Sequence, residues 1–161
     1  MKRLTATILL FGLMALLTVS SASAQQALPQ PRAEGAFASI GGGYGNSSIA
    51  GWVSYLIANT VDTEIHSVVL TAAFGIDPIV ITPEERAQLT ADAQLKADQI
   101  QTICQGLITG GQTCLTTLAP IFIQSDAQDP ASLDYFDGSI DAVFMLGGDN
   151  TLGMQVLANT P

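Results

Sequence analysis

The pattern of apolar and polar positions along the chain alternates between two periods. A short apolar run, AFASI, ends at Gly41-Gly42-Gly43, and beyond it Ile49, Trp52, Val53, Leu56 and Ile57 recur at helical spacing. The pattern predicts a strand, a glycine turn, and a helix capped by Asn46 or Ser47. HSVVLTAAF, residues 66–74, is β-branched and continuous, as expected of a strand covered on both faces. Gly75 then opens a loop through Asp77-Pro78. Thr82-Pro83-Glu84-Glu85 starts the next helix: Thr82 caps it, Pro83 takes the first helical position, and Glu85 closes a capping box. Leu89, Ala93, Ile100, Ile103, Cys104 and Leu107 form its apolar stripe, and Gly110 marks its end.

LAPIFI, residues 118–123, reads as a third strand, with Pro120 placing it at an edge or near a strand start. Asp129-Pro130 begins a short helix, Ala142 to Leu146 is a fourth strand, and Asn150 to Leu157 a final helix. Strands alternate with helices and nothing repeats. The expected fold is α/β, a parallel sheet with right-handed crossovers and helices on both faces. In such sheets ligands gather at the carboxyl ends of the strands. The fourth strand is expected to leave the apolar side of Val143 or Met145 exposed.

The first 24 residues fall outside this pattern. Lys2 and Arg3 precede an apolar run from Ile8 to Val19, and Ala22-Ser23-Ala24 supplies small residues before Gln25, which together read as a cleaved secretory signal. No cysteine stands at the junction, so a lipid anchor is not expected. The run is too short to span a bilayer, so no stable membrane anchor is expected after cleavage. The organisation is therefore a signal over 1–24, a flexible proline- and glutamine-containing lead over 25–35, and one domain over 36–161. The expected destination is secreted or periplasmic.

Export changes how charge and cysteines are read. Once Lys2 and Arg3 are removed, three basic residues, Arg32, Arg86 and Lys96, stand against all 14 acidic ones, which takes the formal charge from -9 to -11. Such a surface repels phosphate backbones and excludes nucleic acid as a partner. It tolerates a cationic substrate, although acidity also serves solubility. Cys104 and Cys114 either form a disulfide across Gly110-Gly111, or Cys104 is simply a small buried residue on a helix face. An oxidising compartment favours the bridge. With His66 as the only histidine and no Cys-x-x-Cys pair, no metal site is expected.

Two glycine-rich turns follow predicted strands, GGGYGNSS at 41–48 and GGDNT at 147–151. Backbone amides at such helix starts can hold an anion or a developing oxyanion. Gly42, Gly43, Gly147, Gly148, Asp149 and Asn150 are therefore the candidate ligand-facing residues. Asp149 either faces a ligand or caps the helix that follows. The dinucleotide fingerprint fails, because Asn46 or Ser48 stands where a glycine is required, and no cofactor is expected. Gly45-Asn46-Ser47-Ser48-Ile49 begins like a nucleophile elbow, but Ile49 cannot make the sharp turn that a glycine permits. His66 sits at the start of its strand, away from the inferred site, and is read as structural. Asp126, Asp129, Asp134 and Asp137 are read as solvated.

The order GGG after the first strand, VVLTAAFG at the second and D-A-V-F-M-L-G-G-D-N-x-L-x-x-x-x-L-x-x-T at the fourth resembles the cyanophycinase and aspartyl-dipeptidase family of serine peptidases. The resemblance covers most of residues 36–160, and its specific part is 141–160. It implies a flavodoxin-like, class I glutamine-amidotransferase-like fold that is incomplete at the carboxyl end. Cyanophycinases carry Gly-Gly-Asp-Gln at this turn and aspartyl dipeptidases Gly-Gly-Gly-Asn-Thr. Gly147-Gly148-Asp149-Asn150-Thr151 shares features of both. The resemblance implies that the Gly148 amide helps form an oxyanion hole and that Asn150 contacts substrate. The implied substrate is peptide-like, such as an Arg/Asp-rich polymer, cleaved at a peptide or isopeptide bond next to aspartate. The family's serine elbow G-x-S-A-G and catalytic histidine are not among these residues, so this chain is expected to be inactive alone. An alternative reading is a non-catalytic exported α/β module that holds a small anionic ligand at its two glycine turns. Oligomeric state is not legible.

Overall fold

The computed structural model describes residues 45–158 and 160. The predicted signal, the predicted lead, the first predicted strand and Gly41, Gly42 and Gly43 lie outside the described residues. Within them the order is α1 (Asn46–Asn59), β1 (Glu64–Leu70), α2 (Pro83–Leu107), β2 (Thr113–Ala119), α3 (Gln124–Gln128), a 3-10 helix (Pro130–Tyr135), β3 (Ala142–Met145) and α4 (Asn150–Val156). The three strands form a parallel sheet in the order β2-β1-β3. The α/β character expected from the pattern is present. No described helix is long and apolar enough to cross a membrane.

Alternation along the central strand divides the core into two layers. Ile65 and Val69 of β1 pack with Ile49, Val53 and Leu56 of α1 and with Ala93, Ala97, Ile100 and Cys104 of α2. Val68 and Leu70 pack on the other face with Ala119, Ile121, Leu152 and Val156. Trp52 meets Phe144 edge to face at 5.1 Å, which ties α1 to β3. Val143 and Met145, one residue either side of buried Phe144, remain 45% and 48% exposed, as expected for the outer side of β3.

Three element boundaries differ from the sequence expectation. The cap of α1 is Gly45, whose carbonyl accepts from Ser48 and Ile49; Asn46 and Ser47 are already helical. The second predicted strand occupies Glu64–Leu70 and not residues 66–74, because the chain turns at Thr71. There the buried Thr71 hydroxyl donates to the Ile121 carbonyl at 2.9 Å, and Phe74 N–H closes a turn onto the Thr71 carbonyl. The third strand is Thr113–Ala119 and not 118–123, since Pro120 has no N–H with which to continue the ladder. Threonine-rich TCLTT hid this strand, although β-branched threonine suits a half-covered edge. The short helix α3 carried no signal in the pattern.

The start of α2 is as read. Thr82 accepts from Glu85 N–H, and the Glu85 carboxylate accepts from Thr82 N–H at 2.8 Å. The helix ends at Leu107, and the link to β2 turns through Gly110 and Gly111 at φ of 72° and 88°, a left-handed conformation that favours glycine. Cys104 and Cys114 form the disulfide that closes this link. A loop this short adds about 2–3 kcal/mol of stability in the chain-entropy treatment.

Candidate functional site

Because all three strands run the same way, Leu70, Ala119 and Met145 end on one edge of the sheet. The chain leaving β1 is tied there to the other two. Thr71 reaches across to the carbonyl of Ile121, in the turn after β2. Ala73 reaches the turn after β3, where its carbonyl accepts from Asp149 N–H at 3.1 Å. Gly148 lies so close to the same carbonyl that a Cβ built on it would stand 1.9 Å from the oxygen. Gly75 sits less tightly, a Cβ there standing 3.3 Å from the Phe122 carbonyl oxygen and 3.6 Å from the Leu152 side chain. Glycine at 148 is therefore a packing requirement, and it fixes where the 147–151 turn sits.

The turn after β2 is held by a carboxylate that the sequence reading left in solvent. Asp126 is half-buried, accepts from Phe122 N–H at 2.9 Å and Ile123 N–H at 3.3 Å, and receives a two-pronged contact from Arg86 at 3.0 and 2.9 Å. The Arg86 guanidinium also lies over the Phe122 ring, 5.7 Å from its centroid. Gln124 N–H donates to the Pro78 carbonyl, so the long loop after β1 is pinned at its middle as well. Asp126 was misread because a carboxylate among serine, alanine and glutamine looks solvated. Arg86, one of three Lys or Arg residues beyond residue 24, was the available clue.

On this base Gly147, Gly148, Asp149 and Asn150 come together beside Ala73 and Gly75, with residues 148–150 exposed. The two roles left open for Asp149 resolve in part: its carboxylate accepts from Thr151 N–H at 2.8 Å and caps α4. Cys104 and Cys114 lie at the far end, where β2 begins. His66 is also toward that end, its ring nitrogens 3.1 Å from Ser139 Oγ and 3.0 Å from Thr117 Oγ1. Ser139 donates its hydroxyl proton to Asp137, so it accepts from His66 Nδ1. Asp137 is held below the usual carboxylate range by that hydroxyl and by Ser139 N–H. These contacts join the approach to β3 to β1 and β2, a structural role. Among the described residues no three His, Cys, Asp or Glu side chains converge to hold a metal.

Two carboxylates at this edge carry a pH dependence. Ile79 N–H and then Val80 N–H hold Asp77 below its usual range; Thr82 N–H and then the Thr82 hydroxyl do the same for Glu85. A carboxylate lowered on folding contributes stability above its unfolded pKa, and that contribution is lost as pH falls through the folded value. The melting temperature of Glu85→Gln should therefore lie below that of the parent at about pH 6 and approach it below the ordinary glutamate range of about 4.3. Melting curves across that range decide this; a constant separation down to about pH 3 would show that the ionised capping box contributes nothing.

A scan against protein-family models, a search of curated proteins and a search of solved structures each return no match.

Proposed function

We propose that this chain is part of an exported serine-type peptidase resembling cyanophycinase, which hydrolyses peptide or isopeptide bonds next to aspartate. The observation that carries the reading is the placement of the family-like turn. Gly148 to Thr151 lies exposed at the carboxyl edge of the parallel sheet, following half-buried Gly147, with Gly148 packed directly on the Ala73 carbonyl. The order β2-β1-β3 agrees with the flavodoxin-like, class I glutamine-amidotransferase-like arrangement that this reading requires.

In the proposed site the Gly148 amide donates to the oxygen of the attacked carbonyl, whose negative charge grows as the tetrahedral intermediate forms. Asn150 offers a donor and an acceptor to the substrate backbone. Asp149, fixed by its capping bond, places a carboxylate that favours a neighbouring arginine and disfavours an anion. The same carboxylate speaks against the alternative of a small anionic ligand at this turn. The attacking serine and its imidazole come from residues other than these 161, so the chain alone should not turn over substrate.

Binding can be measured without turnover. Titration of the isotopically labelled chain with a β-aspartyl-arginine dipeptide should shift the amide resonances of Gly148, Asp149, Asn150 and Ala73 while leaving those around Cys114 unmoved. Equal shifts with inorganic phosphate would favour the small-anion alternative at this turn, and shifts confined to the opposite edge would place ligand binding elsewhere.

A further inference from the structure

We propose that Asn46 is an acceptor for an N-linked oligosaccharide, an inference that rests on the exported destination and not on the peptidase chemistry. Residues 46–48 read Asn-Ser-Ser, the Asn-x-Ser/Thr acceptor pattern with no proline in the middle. Asn59, Asn150 and Asn159 are each followed by threonine but have valine, leucine and proline in the third place, so the pattern is particular to this position.

The fold leaves the triplet at the surface. Asn46, Ser47 and Ser48 are all exposed, in the first turn of α1. Because Gly45 is the helix cap, the Asn46 side chain has no capping duty to its own helix. Its Oδ1 instead accepts from Gln99 Nε2 on α2, and among the described residues no hydrogen bond engages its Nδ2. Nδ2 is the atom that takes the sugar. In the transfer a bond forms between Nδ2 and the anomeric carbon of a lipid-linked oligosaccharide diphosphate, and the anomeric C–O bond breaks. The diphosphate leaves with the electron pair, and one amide proton passes to base. Oδ1 keeps its lone pairs, so the tie to Gln99 and the α1–α2 contact survive the modification.

The test is the mass of the protein recovered from the medium of the cells that make it, with the new amino terminus sequenced in parallel. The peptide bearing Asn46 should be displaced by the mass of an oligosaccharide, and peptide N-glycosidase should release the sugar and leave aspartate at that position. Asn46→Gln should abolish the displacement without shifting the unfolding midpoint. A protein that has lost its leader yet carries an unmodified Asn46 overturns the proposal. A protein found only inside cells with its leader attached overturns it through failure of export, which the amino-terminal sequence distinguishes.

Discussion

Phe122→Ala is expected to lower the unfolding free energy by about 3–5 kcal/mol, the largest single loss in the described region. The ring is fully buried and heads the set of large side chains with no exposure. It follows Pro120, outside any strand, so no ladder holds its backbone in place. Its position depends on the Asp126 carboxylate at its N–H, the Arg86 guanidinium over its ring and the Gly75 backbone against its carbonyl. These contacts restrain the surroundings from collapsing into the vacated space, which puts the cost toward the upper end of the range. Urea denaturation measures it, with Ile79→Ala, at a side chain 69% exposed, as the control expected to change little. A loss for Phe122→Ala below about 1 kcal/mol would mean the turn after β2 is not packed as described.

Gly148→Ala is expected to cost about 3 kcal/mol or more, at the high end for overpacking. The obstacle is backbone. A Cβ would lie 1.9 Å from the Ala73 oxygen and 2.9 Å from its carbonyl carbon, and neither can rotate aside as a side-chain tip can. Moving the turn outward instead would break the Asp149 N–H bond to that same oxygen and unseat α4, where Gly153 also packs against Ala73. Gly138→Ala is the matched control, since a Cβ there meets nothing within 4 Å. Thermal melts of the pair should separate widely. Near-equal melts would remove the close approach, and with it the fixed position of the candidate turn. Any loss of ligand binding in Gly148→Ala that exceeds its loss of folded protein is the part attributable to the site.

What could be read directly from the chain was chemistry local to it. The capping box at Thr82 and Glu85 is a contact between neighbours in sequence, the glycine link between the cysteines is short, and the apolar stripe of α2 repeats within one helix. Each is complete inside its own window, and each appears where expected apart from the end of the stripe, where Leu107 is exposed and the buried positions are Ala93, Ala97, Ile100 and Cys104. The boundaries that moved depend on partners remote in sequence. Thr71 ends β1 because its hydroxyl finds the Ile121 carbonyl, and Asp126 is drawn inward by Arg86, 40 residues away. For Gly148, glycine and turn were legible but the reason was not, because Ala73 is an unremarkable residue until the sheet brings it alongside. Asp149 shows the limit at its sharpest: two candidate roles were legible, and the fold supplied the bond to Thr151 N–H that belongs to one of them, the cap.

The most direct measurement is hydrolysis by the protein that contains residues 36–160, purified from the cells that make it or from their medium. It is incubated with cyanophycin and with aspartyl dipeptides, before and after treatment with a serine-directed fluorophosphonate. The proposed function requires release of aspartate-containing products, abolition of that release by the reagent, and covalent labelling at a serine in a G-x-S-A-G turn on the same polypeptide. A folded, exported protein that leaves both substrates intact and takes up no label would contradict it.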